Sequence, residues 1–351
     1  MRGKLKILEK EAFFESTGYR RNFLTHIYPA VSYEGIFRLF KILITNRCQN
    51  NCLYCGIRAG RSCQRFFIKP KELANIFMQL YKTRKVDGLF VSSGIYKSPT
   101  YSQKLILDTV YILRKRFNFE GFIHAKVLPS ADLNLVEGLS FLADRVSINL
   151  EVPKKEFLEK LCPEKNLEKG LLRHLKFLYY LNKKGVFKSG ITSQLVVGAD
   201  KEKDKQILEV SSTLYRNFNL RRVYYSGFVP IKDTPLENRD STSFKRIYRL
   251  YQADVLLRNY GFKFGELFFD KEGNLPLDKD PKVYWAYLNK NLFPVNINKA
   301  SLFLLKRIPG IGPRLSEKIV RLRKYWKFKT LEDLRKIGVN IKRAKNWVRF
   351  S

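Results

Sequence analysis

The chain has 351 residues, of which 45% are hydrophobic and 14% aromatic, and its formal net charge is +35. Enough apolar surface is present to form a large core, which excludes intrinsic disorder and collagen-like or coiled-coil fibres. The surplus of Lys and Arg favours partners that carry phosphate, with nucleic acid as the leading class.

Two further features concern location and cysteine chemistry. No run of 18 apolar residues occurs, and the first fifteen residues lack the apolar centre of a signal peptide. We therefore expect a cytoplasmic protein with no membrane partner. Three of the five cysteines fall within eight residues, which favours a metal or cluster site over a disulfide framework.

Strands and helices are predicted to alternate between residues 40 and 230. Six such units predict an α/β fold with a parallel sheet, and an open, partial (β/α)6 TIM-type barrel accommodates them. The functional residues are then expected at the carboxyl ends of the strands. The predicted strands are Phe40–Thr45, Gly88–Ser92, Gly121–Val127, Arg145–Leu150, Ile191–Val197 and Arg222–Ser226, and the predicted helices are Pro70–Lys82, Ser102–Arg116, Leu167–Lys184 and Lys203–Phe218.

The domain organisation is predicted from composition along the chain. Residues 1–39 form an amino-terminal extension, and residues 40–275 form the core, which ends with an additional helix over Ser243–Tyr260. A segment rich in Asp, Pro, Asn and Gly then indicates a linker over residues 276–294. Residues 295–351 form a small all-α module, in which the last 53 residues hold sixteen Lys or Arg against three acids.

The cysteine loop directly follows the first predicted strand. Cys48, Cys52 and Cys55 form a CxxxCxxC pattern, and three thiolates can bind three irons of a 4Fe-4S cluster while the fourth iron stays open. The alternative is structural zinc, which requires four closed ligands. The spacing favours the cluster and leaves zinc open. The residues that would complete a zinc site are Cys63, Cys162, His26, His124 or His174.

The loop TNRCQNNCLYC, with Tyr54 before its last cysteine and a serial β/α chain after it, resembles the signature of radical S-adenosylmethionine enzymes. The resemblance implies a partial barrel of the radical S-adenosylmethionine kind. It also implies that the open iron binds the amino and carboxylate groups of S-adenosylmethionine, whose reductive cleavage gives a 5′-deoxyadenosyl radical.

The resemblance implies further cofactor contacts at the strand ends. The second strand ends in LFVSSG, where serine replaces the glycine usual in that superfamily, so we expect a backbone carbonyl to meet the cofactor's amino group. The fourth strand carries polar residues on one face and the fifth resembles the region that meets adenine. Lys126 is interpreted as either buried or catalytic, and His124 as either a core residue or a proton donor. The predicted cofactor contacts are Tyr54, Ser92, Ser93, Gly94, Asn149, Glu151, Gln194, Val196 and Gly198.

The carboxy-terminal module contains the turn Pro309-Gly310-Ile311-Gly312 between two predicted helices. Two glycines let successive backbone N–H groups point outward at a helix start, which suits a phosphate. The turn resembles the helix-hairpin-helix of DNA-binding and repair proteins, with a weaker second copy around Gly338. The alternative is a protein-interaction module. The predicted nucleic-acid contacts are Pro309, Gly310, Ile311, Gly312, Arg314, Lys318, Arg321 and Lys324, and the predicted core is Leu302, Leu305, Ile308, Ile311, Ile319, Leu322, Trp326, Phe328, Leu331 and Leu334.

The whole chain resembles a family of radical S-adenosylmethionine proteins assigned to DNA modification or repair and often encoded beside a uracil-DNA-glycosylase-like protein. The motifs that carry this likeness are the cysteine loop, GLFVSSGIYKSP, HAKVLP, PEKN and RVYYSGFVP. The resemblance implies DNA, a uracil-DNA-glycosylase-like protein and an electron donor as partners, and it leaves the reaction unspecified. Two alternatives stay open: radical modification of tRNA or other RNA, and a non-catalytic, metal-stabilised DNA-binding scaffold that recruits the glycosylase-like partner.

Overall fold

The computed structural model describes residues 27–32 and 35–351, together with Leu5, Ile7, Leu8 and Ala12. The candidate ligand His26 lies outside the described residues, as does most of the predicted extension. The chain divides into two compact units. The first contains the described residues up to Glu202 together with Thr213–Phe244, and the second contains Lys203–Ser212 together with Lys245–Ser351.

A seven-stranded sheet, with its strands in sequence order, forms the centre of the first unit. The first two strands pair antiparallel, and every later neighbour pairs parallel. The sheet curls into a half barrel, which confirms the predicted α/β partial barrel with its six parallel strands. The strands are β1 (Ile27–Ser32), β2 (Gly35–Leu43), β3 (Gly88–Ser92), β4 (Phe122–Lys126), β5 (Arg145–Ser147), β6 (Ile191–Val197) and β7 (Arg222–Gly227).

Strand β1 was not predicted, because Pro29 interrupts a short apolar run. Proline lacks the backbone N–H that a central strand needs, and it is tolerated in a strand at the edge of a sheet. β1 is such an edge strand, since it pairs only with β2. By contrast, every residue of β3 and β6 is buried, as expected for central strands of a parallel sheet, although β6 carries the polar residues Thr192, Ser193 and Gln194.

Helices connect the parallel strands. The four predicted helices are present, although the second continues through a π-helical turn at Ile112–Arg116 and the third begins with one at Leu167–Leu172. Two additional helices of eight and seven residues were too short to show a clear helical period. The helices are α1 (Pro70–Lys82), α2 (Pro99–Tyr111), α3 (Leu133–Ser140), α4 (Lys155–Leu161), α5 (Arg173–Lys183) and α6 (Asp204–Phe218).

The second unit is mainly helical. Part of the predicted linker forms a helix, capped by the Asp280 side chain and carrying the buried Trp285. Two short strands pair parallel near the carboxy terminus, a feature that the sequence did not indicate. The elements are α7 (Phe244–Asn259), α8 (Pro281–Leu288), β8 (Val295–Asn296), α9 (Leu302–Leu305), α10 (Pro313–Leu322), α11 (Leu331–Lys336), α12 (Ile341–Ala344) and β9 (Val348–Arg349).

The core of the two hairpins follows the predicted apolar pattern with two exceptions. Leu305, Ile308, Ile311, Ile319, Phe328 and Leu334 are buried together, and Leu322 and Leu331 pack against them partly buried. The prediction was wrong for Leu302 and Trp326, which are 36% and 42% exposed. In the described part of the chain, no helix has the length and apolar character needed to cross a bilayer.

Candidate functional site

A cavity of about 200 Å³ lies at the carboxyl ends of the parallel strands in the first unit. Each strand from β2 to β7 contributes lining residues, either from its last positions or from the loop that follows. Catalytic sites of β/α barrels lie at this edge of the sheet. Ten of the predicted site residues line the cavity: Cys48, Cys52, Tyr54, Cys55, Ser93, Gly94, Asn149, Glu151, Gln194 and Val196.

The cysteine loop is held in shape by side chains outside its motif. The Arg65 guanidinium donates to four loop carbonyls, those of Asn46, Ile57, Arg58 and Arg61, at 2.6–2.8 Å. The Asn46 amide donates to the Gln64 carbonyl at 2.8 Å. It also accepts from the Phe66 N–H at 2.7 Å. These hydrogen bonds give partners to backbone groups that would otherwise lack a partner within the protein, because a long loop has no regular backbone pairing. The sequence did not indicate a role for either residue.

Gly94 allows the loop after β3 to approach the cysteine loop. Its N–H donates to the Thr45 carbonyl at 2.8 Å, and the Gln49 N–H donates to the Ile95 carbonyl at 2.7 Å. A Cβ at position 94 would lie 2.4 Å from the Arg47 carbonyl oxygen, so only glycine fits. The Gly94 carbonyl accepts from the Ser93 hydroxyl at 2.8 Å and keeps a second lone pair, which agrees with the expected backbone contact to a cofactor.

The three cysteines of the motif line the same cavity. Burial raises the pKa of Cys48 and of Cys55, and each thiol would repel charge on a neighbouring thiol. Three thiolates that line one buried cavity require compensating cations, which an iron-sulfur cluster supplies when it binds them. The donor set therefore fits the predicted cluster. Among residues 27–32 and 35–351, no three His, Cys, Asp or Glu side chains stand in a preformed metal-binding arrangement.

A buried chain of polar contacts runs from Cys52 to Lys165. The Cys162 thiol donates to the Tyr54 hydroxyl at 3.3 Å, and a hydrogen bond between Cys52 and Cys162, together with burial, raises the pKa of Cys52. The Tyr54 hydroxyl is also hydrogen bonded to Glu151. The Glu151 carboxylate then accepts from the Lys165 ammonium at 2.6 Å, with both side chains no more than 12% exposed.

The chain of contacts changes the interpretation of two residues. Cys162, considered from the sequence only as a zinc ligand, is fully buried and hydrogen bonded to Tyr54 of the cysteine loop. Lys165 lines the cavity and was not among the predicted contacts, although it belongs to the quoted motif PEKN. Glu151 has a positive φ of 66°, an uncommon conformation for a residue other than glycine that is often found at functional sites.

Two predicted contacts do not line the cavity. Ser92 is fully buried, and its backbone carbonyl accepts from the Ile44 N–H at 2.8 Å. Gly198 has a φ of +87°, and a Cβ there would lie 2.0 Å from the Thr242 hydroxyl. Ser92 therefore ties β3 to the start of the cysteine loop, and Gly198 gives the chain room to leave β6.

The two residues left undecided at the third strand have different surroundings. Lys126 lines the cavity, where its ammonium donates to the Asn149 side chain. His124 is buried beside Phe90, and one of its ring nitrogens is hydrogen bonded to the Ser147 hydroxyl at 2.9 Å. Burial and the nearby cations Arg145, Lys126 and Lys41 lower the pKa of His124, so its ring is neutral at pH 7. His124 is a core residue.

The zinc alternative receives no support from the remaining histidine or from Cys63. A ring nitrogen of His174 is hydrogen bonded to the Ala131 carbonyl at 2.8 Å. The Cys63 thiol is 4.0 Å from the Gly56 carbonyl oxygen. Of the candidate fourth ligands in the described part of the chain, Cys162 is the one hydrogen bonded to the cysteine motif, through Cys52 and Tyr54.

The first hairpin turn of the second unit begins a ten-residue helix. Its N-cap is Gly312, which has no side chain to cap the first turn, so backbone N–H groups stay available to a ligand. A Cβ at Gly310, whose φ is +86°, would lie 2.9 Å from the Asn340 carbonyl oxygen of the second hairpin. The two hairpins therefore pack in direct contact, as expected for a double unit.

The predicted cationic residues on α10 and just after it differ in exposure. Arg314, Arg321 and Lys324 are exposed. Lys318 is half-buried, and its ammonium donates to the Ile337 carbonyl at 3.3 Å, so it also stabilises the contact between the hairpins. Arg323, one position before Lys324, donates to the Ala300 carbonyl at 2.6 Å and is structural.

Two protein-family models match the parts of the chain that contain the cysteine cavity and the hairpins. The radical SAM superfamily model matches residues 42–214, and the helix-hairpin-helix motif model matches residues 290–348. The chain contains a radical S-adenosylmethionine domain. Members of that superfamily use a 4Fe-4S cluster and S-adenosylmethionine, and these are the cofactors of this domain.

Three known proteins are similar to a part of the chain. It is 27% identical over 214 residues to the 7,8-didemethyl-8-hydroxy-5-deazariboflavin synthase of Methanosarcina acetivorans, covering 56% of this chain and 61% of that protein. It is 26% identical over 212 residues to an uncharacterized protein of Methanocaldococcus jannaschii, covering 58% and 52%. A solved structure of methylornithine synthase superposes with a TM-score of 0.50 at 14% identity, covering 62% of this chain and 60% of that chain, and this likeness shows the fold. The chain spans less than two thirds of the length of each of these proteins.

Proposed function

We propose that the protein is a radical S-adenosylmethionine enzyme that modifies or repairs DNA held by its helix-hairpin-helix module. The observation that carries the proposal is the combination, on one chain, of a three-cysteine cavity in a half barrel and two hairpins with exposed cationic side chains. A uracil-DNA-glycosylase-like partner and an external electron donor belong to this proposal. The free cysteines of the chain fit a reducing compartment such as the cytoplasm.

The residues of the first unit have distinct roles in the proposal. Cys48, Cys52 and Cys55 hold the cluster, which, when bound, supplies the electron that cleaves S-adenosylmethionine to a 5′-deoxyadenosyl radical. Glu151 and Lys165 present one negative and one positive charge to the cavity, which complement an amino group and a carboxylate. Five other lining residues position the rest of the cofactor: Ser93, Gly94, Asn149, Gln194 and Val196.

The hairpins hold the phosphate backbone without reading sequence, because backbone N–H groups and Lys or Arg side chains contact phosphate rather than bases. A target base within a duplex must leave the stack before a radical can reach it, which costs about a few kcal/mol. A mismatched, damaged or single-stranded base lowers that cost. We therefore expect substrates with an unpaired or lesion-bearing nucleotide.

The first experiment is electron paramagnetic resonance of the anaerobically reconstituted, reduced protein, with and without S-adenosylmethionine. A 4Fe-4S signal that shifts on addition of the cofactor supports the enzyme. 5′-Deoxyadenosine is then measured with and without DNA. Cys52→Ala is expected to bind DNA while forming no 5′-deoxyadenosine, whereas the control Cys63→Ala forms it normally.

Three results would contradict the proposal. Zinc in place of iron after verified reconstitution favours the non-catalytic scaffold. Full 5′-deoxyadenosine formation by Cys52→Ala means that the cysteine motif does not hold the cluster. Tighter binding of tRNA than of duplex DNA favours RNA modification.

A second candidate function is a radical synthase reaction on a small heterocyclic substrate. The similarity to deazariboflavin synthases over more than half of the chain favours it. The two candidates differ in their dependence on nucleic acid. Formation of 5′-deoxyadenosine that rises with DNA supports the first, and formation that rises only with a small heterocycle supports the second.

A further inference from the structure

The second unit contains a cavity that the proposed function leaves without a role. Its volume is about 420 Å³, within the range of about 300–1,000 Å³ that is typical of small-ligand sites. One wall is the first hairpin turn, from Pro309 to Gly312. The other walls come from α7, from the start of α8 and from the second hairpin.

One end of the cavity favours an anion. The uncapped start of α10 at Gly312 carries the partial positive charge of a helix amino end. Lys282 is 6% exposed and lines the cavity. Its ammonium donates to the Ile311 carbonyl at 2.6 Å, which uses one of its three protons.

The charged groups around this end leave a net positive lining. Arg343 lines the cavity and is half exposed. Asp280 is the acidic residue of the lining. Its carboxylate caps α8, accepts from the Gln252 amide at 2.7 Å and lies 4.0 Å from the Arg343 guanidinium. Arg343, together with Lys282 in its protonated form, therefore outweighs an acid that already has partners.

Aromatic side chains also line the cavity. Tyr248, Tyr251 and Tyr260 line it, and Tyr248 is 49% exposed, so its ring is reachable from solvent. The Tyr260 ring is fixed beneath the Lys282 ammonium, 4.5 Å from the ring centroid. Stacking of a base on such a ring contributes about 1–3 kcal/mol.

The hairpin turn is held tightly between the two sides of the cavity. A Cβ at Gly312 would lie 3.2 Å from the Tyr260 hydroxyl, and a Cβ at Gly310 would lie 3.0 Å from the Cβ of Arg343. The backbone of the turn thus approaches both the aromatic side and the cationic side. A group bound at the amino end of α10 would contact both sides at once.

We propose that this cavity binds one nucleotide of the nucleic-acid strand held by the hairpins, with its phosphate at the start of α10 beside Lys282 and its base against the tyrosines. The inference rests on the proposed function, since nucleic acid must first reach the hairpins. A duplex keeps its bases stacked inside, so the cavity selects an unpaired nucleotide. The second unit would then detect the kind of strand on which the first unit acts.

The test uses the full chain and a twelve-nucleotide single-stranded DNA with 2-aminopurine at its centre, alone or in a duplex. Tyr248→Leu is expected to weaken single-strand binding by about fivefold to 150-fold, the equivalent of one lost stacking contact, and to leave duplex affinity unchanged. Tyr248→Phe keeps the ring and is expected to bind normally. The matched control is Tyr111→Leu, since Tyr111 in α2 has the same 49% exposure.

The outcomes separate this inference from the proposed function. If Tyr248→Leu binds both DNA forms as the wild type does, with the 2-aminopurine signal unchanged, the nucleotide site is wrong while DNA binding stands. If the wild-type chain binds neither DNA form, both proposals fail. Thymidine monophosphate is added as a competitor. If the protein binds it more tightly than the oligonucleotide, and Tyr248→Leu abolishes that binding, the cavity binds a free nucleotide. That result would overturn the proposal that the cavity binds a nucleotide of a strand.

Discussion

At the scale of single residues, Glu151 and Lys165 form a buried ion pair in the candidate active site. Each partner holds the other in its charged form: the lysine holds the pKa of Glu151 below its ordinary value despite burial, and the carboxylate raises the pKa of Lys165. A charge that stays buried after its partner is removed is strongly destabilising. The pair therefore makes each residue costly to replace alone.

We expect Lys165→Met to lower the free energy of unfolding by about 3–5 kcal/mol, because it leaves the Glu151 carboxylate buried without its cation. Urea unfolding followed by circular dichroism measures the loss. The double variant Glu151→Gln with Lys165→Met should recover most of it. Lys169→Met, at an exposed position four residues away, is the control. Equal losses in both lysine variants would show that the pair contributes nothing specific.

The same pair predicts a pH window. The pKa of Glu151 is lowered when folded, so its contribution is present above the ordinary value of 4.5 and is lost as pH falls through the folded value. The pKa of Lys165 is raised, so its contribution is present below 10.5 and is lost as pH rises through the folded value. The stabilisation is thus constant across neutral pH.

Gly94 predicts a steric effect at the same site. Gly94→Ala places a methyl group 2.4 Å from the Arg47 carbonyl oxygen, so the cysteine loop must move. We expect a loss of about 1–3 kcal/mol in unfolding free energy and a lower iron content after reconstitution. Gly265→Ala, where a Cβ meets no atom within 4 Å, should change neither quantity. Normal iron content in Gly94→Ala would show that the loop tolerates the displacement.

At the scale of elements, the sequence predicted the helices and strands that are stabilised by local signals or by complete burial. Helix α1 begins at Pro70 and ends at Lys82, as its proline start and apolar period indicated. The buried strands β3 and β6 were likewise found at their observed bounds. Elements that depend on tertiary contacts were missed, such as edge strand β1 and short helices α3 and α4.

The same distinction explains which residues of the candidate site the sequence predicted and which it did not. Cysteine spacing and polar residues after strands are visible in a sequence, and ten of the predicted residues line the cavity. Lys165 and Arg65 were missed because a buried lysine or arginine looks like a surface cation until its partners are known. Ser92 and Gly198 were included because they lie in segments that resemble cofactor-binding regions of the superfamily. In the structure the Ser92 carbonyl accepts from the Ile44 N–H, and Gly198 lies against Thr242.

Helix α8 carries a pH-sensitive lysine. Burial, with Arg307 and Arg343 nearby and against the attraction of Asp280, lowers the pKa of Lys282 to about 7. The unfolded chain keeps the lysine proton up to about pH 10.5, so the folded state binds fewer protons between these values and stability rises with pH.

We therefore expect the wild type to become more stable relative to Lys282→Met as pH rises from 7 to 10. Chemical unfolding at a series of pH values measures the shift. Lys271→Met, at an exposed position of the same unit, should show no such trend. A flat difference for Lys282→Met would mean that this lysine stays charged in the folded protein.

At the scale of the whole molecule, the net charge of +35 raises the question of whether nucleic-acid binding is diffuse or confined to the hairpins. Deleting residues 299–351 does not answer it cleanly. The deletion would remove Arg307, whose guanidinium pairs with Glu266 at 2.8 Å, and Ile311, which accepts from Lys282. Substitution of exposed cations tests the surface and keeps the core of the second unit.

We expect the triple variant Arg314→Ala, Arg321→Ala and Lys324→Ala to weaken duplex DNA binding and to flatten its salt dependence. Each lost phosphate contact lowers the slope of log affinity against log salt by roughly 0.9, so three contacts lower it by up to about 3. The control replaces three exposed lysines of the first unit with alanine, which lowers the net charge by the same amount. These lysines are Lys82, Lys85 and Lys115. Fluorescence anisotropy between about 50 and 200 mM salt gives both slopes. Equal flattening in the two variants would assign binding to net charge, whereas flattening confined to the hairpin variant places the phosphate contacts on α10.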